Sequence, residues 1–92
     1  MSKVSTSKPE IRTAYLFDKP VTIRNMDLIK VASKHRIGPF ETDKWDTIAI
    51  MDVINLANPE ITVKMMEEEC NKSLGFIEVL VQVFLEGVNI KN

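Results

Sequence analysis

The segment Leu74–Glu86 constrains this chain more than any other. Nine of its thirteen residues are apolar (Leu74, Phe76, Ile77, Val79, Leu80, Val81, Val83, Phe84 and Leu85), and Glu78, Gln82 and Glu86 recur every four residues. A strand competes, because the odd positions 77–85 are all apolar. Thirteen residues is long for a strand, however, and a polar residue at every fourth position fits a helix. The pattern therefore predicts a helix over 74–86, stopped by Gly87. A helix that is apolar around most of its circumference has to be surrounded. A chain of 92 residues offers little material for that, since a domain of this size buries only roughly 60–65% of the surface its unfolded chain exposes. Burying four of these side chains against a second subunit is worth on the order of 6–10 kcal/mol before the costs of association. The helix is thus expected to serve as a central pillar, as an interface, or as both. Phe76, Val79, Leu80, Val83 and Phe84 are the expected oligomer-interface residues.

Upstream, the pattern is helical back to residue 25. Asn25 reads as a cap with Asp27 in the first turn, where the helix dipole favours an acid. Met26 to Arg36 follows, with Leu28, Ile29, Val31 and Ala32 as its apolar face and Gly38-Pro39 as its stop. Thr42 or Asp43 caps a helix from Lys44 to Ala57, in which Trp45 reads as core. Pro59, favourable at a first helical position, opens a third helix to about Asn71, and Ser73 caps the last. Residues 10–24 read two ways. Thr13–Phe17 and Val21–Arg24 are short and β-prone around a turn-like Asp18-Lys19-Pro20, so the segment forms either a hairpin packed on the helices or an extended clasp. Residues 1–9 read as a mobile arm. The expected fold is mainly α: a compact bundle of three to four short helices in a domain over 25–92, preceded by residues 1–24 as an extended arm or short β-hairpin.

Chemistry-bearing motifs are sparse. One His and one Cys stand 35 positions apart, and Cys70 follows Glu67-Glu68-Glu69, where negative charge opposes the thiolate a nucleophile needs. A zinc site wants four ligands, usually paired Cys and His, and three consecutive Glu on a helix point in different directions. Gly38, Gly75 and Gly87 form no phosphate-binding loop. No catalytic residue, metal or cofactor is therefore expected. Single-cysteine usage, the absence of an apolar leader in residues 1–9 and the absence of a run approaching ~20 apolar residues lead to the expectation of a cytoplasmic protein without a membrane span.

Charge is uneven along the chain. Residues 1–38 hold eight Lys/Arg against three acids, and residues 39–92 hold four Lys against ten acids, although the net charge is only −1. Such asymmetry points to an acidic partner for the basic half or to docking of one half on the other. Arg24, Lys30, Lys34 and Arg36 are the expected partner-binding residues. A helix–turn–helix over 25–57 would present Trp45, Asp46, Ile48, Ile50 and Asp52 to DNA, and two acids among bulky apolar groups suit a phosphate-lined groove poorly.

The run Ser73, Phe76, Ile77, Glu78 and on to Leu85-Glu86, within Ile61–Ile90, resembles the helical segment of small tailed-phage late-transcription coactivators. There an amphipathic stretch leads through a Ser-x-aromatic-hydrophobic-Glu turn into an apolar helix with an acidic end and an Asn-Ile exit. The likeness covers under a third of the chain. Extra residues separate Ser73 from Phe76, and the hydrophobic tail with which those proteins bind a sliding clamp has no counterpart after Ile90. The resemblance implies docking on host RNA polymerase and no enzymatic activity. Together the readings describe a non-enzymatic adaptor, inhibitor or assembly factor, and the resemblance adds the expectation that it is phage-encoded. It would bind a larger protein, self-associate through its C-terminal helix into a homo-oligomer, or do both. The alternative is a nucleic-acid-associated transcription regulator using the basic half.

Overall fold

Residues 14–89 are described by the computed structural model. The mobile arm expected at 1–9, and Thr13 of the first expected strand, lie outside them. β1 (Ala14–Leu16) pairs antiparallel with β2 (Lys19–Val21) in the register Ala14↔Val21, Tyr15↔Pro20 and Leu16↔Lys19. The two-residue loop between them is Phe17-Asp18, with both φ angles positive at 53° and 62°. This is the backbone sense that matches the right-handed twist of a hairpin. The hairpin reading thus holds, with a two-residue turn that starts one residue before the expected Asp18-Lys19-Pro20 and a second strand that ends at Val21 instead of starting there. Leu16↔Lys19 closes the loop as a hydrogen-bonded pair, so alternation leaves Tyr15↔Pro20 as the non-bonded pair. Pro20, which lacks an N–H, is tolerated there.

α1 (Asn25–His35) opens with Arg24, not Asn25, in the capping position: the Asp27 carboxylate accepts the Arg24 N–H at 3.0 Å. It closes at Arg36, whose φ of 61° turns the chain left-handed while the Ile37 N–H reaches back to the Ala32 carbonyl at 2.9 Å. That exchange satisfies the end of the helix two residues before Gly38-Pro39. A single 3₁₀ turn, Thr42–Lys44, then precedes α2 (Thr47–Ala57). The cap of α2 is Asp46, which accepts the Ala49 N–H at 2.9 Å. The helix starts later than expected because Trp45 keeps an extended backbone. In that conformation its ring is buried 5.1 Å from Phe84 and its Nε1–H donates to the Gly38 carbonyl.

α3 (Val63–Lys72) is capped by Thr62, whose hydroxyl accepts the Met65 N–H at 3.1 Å. The helix expected from Pro59 begins four residues later because Ile61 is fully buried in a turn closed by Ile61 N–H to the Asn58 carbonyl. α4 (Gly75–Asn89) runs through Gly87 instead of stopping there. The reason is space: a Cβ at Gly87 would lie 3.2 Å from Ile23 Cδ1, so glycine lets the chain after β2 approach the helix.

Among the described residues, four helices and a hairpin ahead of them make up this mainly-α architecture. α2 is the central helix and packs on α1, α3 and α4, while α4 also supports α3 and β1. One continuous core holds Ala14, Leu16, Val21 and Ile23 together with Leu28, Ile54, Met66, Leu80 and Phe84. The hairpin is therefore part of the core, and the expected boundary at 24/25 runs through it. The Asn58 side chain strengthens this joint by pairing with both the N–H and the carbonyl of Thr22, at 3.3 and 3.4 Å.

Candidate functional site

α4 divides into two faces. Leu80, Val83, Phe84 and Val88 are buried, and Phe76 is half-buried 5.9 Å from Phe17 across the tip of the hairpin. These positions recur at helical spacing on the side facing α2, α3 and β1. Three of the five expected interface residues, Leu80, Val83 and Phe84, are thus enclosed within the single chain, and Phe76 is packed on the hairpin. Their surface is already occupied by the hairpin and the other helices. Only Val79 of the five is open, at 44% exposure.

The other face of α4 remains apolar in part. Leu74, Val81 and Leu85 are 81, 38 and 40% exposed. Leu74 stands in the turn just before α4, and Val81 and Leu85, at i+7 and i+11 from it, continue its line along the helix, with Glu78 and Gln82 beside it and Val79 on the far edge. The sequence carried a signal for this face: the Glu78/Gln82 stripe marks the wet side, and Leu74, Val81 and Leu85 sit three or four positions from it.

α1 offers a second surface. Arg24, Lys30, Lys34 and Arg36 are all exposed, as the sequence led one to expect of docking residues. Met26 and Ile29, 57 and 39% exposed, lie among them. Ile29 was expected on the inner face, but Leu28, Val31 and Ala32 fill that face and turn Ile29 outward. Two of the cations are engaged: Arg24 with Asp27, and Lys34 with Asp52 of α2, each at 3.6 Å. Asp52 also accepts from or pairs with His35 Nε2 at 2.7 Å. In both pairs the cation is exposed and the carboxylate is largely enclosed, so the local charge of Arg24 and of Lys34 is partly offset. Among the described residues, Lys30 and Arg36 form no ion pair.

Other features offer little chemistry. His35 faces α2, whereas Cys70 is on α3, and the two helices share no principal contact. Burial pushes the Cys70 thiol up, and Glu67 adds to the shift. Among the described residues no group of three His, Cys, Asp or Glu is placed to hold a metal ion, and no helix is long and apolar enough to cross a membrane. A shallow groove of about 260 Å³ runs between the hairpin and the α2–α3 turn, with the Lys19–Glu60 pair at its rim. It is smaller than the ~300–1,000 Å³ usual for small-molecule sites, and its Asn58 amide is already hydrogen-bonded. Compared with protein-family models, curated proteins and solved structures, the chain matches none.

Proposed function

We propose that this chain is a small non-enzymatic interaction protein, an adaptor, inhibitor or assembly factor that works by presenting helical faces to a larger protein and to copies of itself. The observation that carries the reading is the outer face of α4, where Val81 and Leu85, with Leu74 in the turn before the helix, stay in water although the helix also supplies the centre of the core. Aliphatic side chains aligned along one helix are a ready seat for a partner helix or groove. The basic face of α1 supplies the second half of the reading, attraction towards an acidic protein surface. Docking on an RNA polymerase, which the C-terminal resemblance implies, is one form this activity can take.

Sedimentation of the wild type and of a Val81→Glu/Leu85→Glu variant at micromolar concentration tests the proposal. Association that the double substitution abolishes, with the circular dichroism unchanged, supports it. A monomeric wild type indistinguishable from the variant, with no partner bound, overturns it.

The second reading, nucleic-acid association, is favoured by one observation: all four α1 cations are exposed. Against it, the helix that would enter the major groove, α2, is the central one, and its outward positions carry the apolar Ile48 and Leu56, with an acid, Asp46, at its cap. A gel shift at low salt that fades steeply as salt is added marks this alternative.

A further inference from the structure

We draw no further inference here: the strongest candidate, the apolar surface patch on the outer face of α4 formed by Val81 and Leu85 with Leu74 in the turn before the helix, carries none because nothing in the structure shows what covers it.

Discussion

Gly87 illustrates how a single residue reads differently alone and in place. In sequence it follows an apolar run and looks like a helix stop. In the fold it lies inside α4, where an added Cβ would come within 3.2 Å of Ile23 Cδ1 and 3.4 Å of Cγ1. Ile23 is fully buried and has little room to retreat. We expect Gly87→Leu to lower stability by about 2 kcal/mol through overpacking, read as a fall in the urea midpoint; a rise would show that the approach at Ile23 is not tight. Cys70 is a second case. Desolvation and then Glu67 hold its thiol above the ordinary range. A raised value means less thiolate at pH 8, and the thiolate is the reacting form. Cys70 should therefore alkylate with iodoacetamide more slowly at pH 8 than an unhindered thiol, with a rate profile displaced to higher pH. Glu67→Gln, which removes the smaller cause, should move the profile partway back. A profile that coincides with that of a free thiol would contradict this assignment.

At the scale of elements, helix ends were less legible than helices. Thr42, Asp43 and Asp46 are all acceptable caps by residue type, and the choice among them rests on Trp45. Burying that indole against Phe84 requires an extended residue just before the helix, which leaves Asp46 to take the Ala49 N–H. Asp46→Ala should then cost about 1 kcal/mol, whereas Asp43→Ala, at an exposed position with no bond to the start of α2, should stay within about 0.5 kcal/mol. Chemical denaturation of the two variants side by side decides between them; equal losses would return the cap to the earlier position. Thr62 and Arg36 make the same point. Their roles follow from where Ile61 and Ile37 must pack, which no local pattern records. The hairpin was legible as two β-prone stretches, but its register was not. Phe17, an unfavoured residue at positive φ, occupies the turn because its ring reaches Phe76 on α4.

For the whole molecule, the question is whether the first elements are an appendage or part of the core. Leu16 and Ile23 are 4 and 0% exposed and join the cluster that contains Leu80 and Phe84. Truncating a buried Leu or Ile to Ala costs about 2–5 kcal/mol, and a domain of this kind has roughly 5–15 kcal/mol in all. A Leu16→Ala/Ile23→Ala variant should therefore lose most or all of its cooperative thermal transition. An independent helical domain over 25–92 would instead melt as the wild type does. The same core explains why four of the five side chains expected to mediate association do not lie open: the hairpin, α2 and α3 together cover the inner side of α4. Sequence by itself determined that the C-terminal segment is a helix with a polar stripe, that Arg24, Lys30, Lys34 and Arg36 are solvated, and that the fold is mainly α. These follow from periodicity and charge, which are local properties. The tertiary structure decided which apolar residues of α4 are enclosed and which are left in water, and that the hairpin is part of the core. That division depends on which distant elements reach the helix, and contacts between residues far apart in the chain leave no trace in the spacing of its residues.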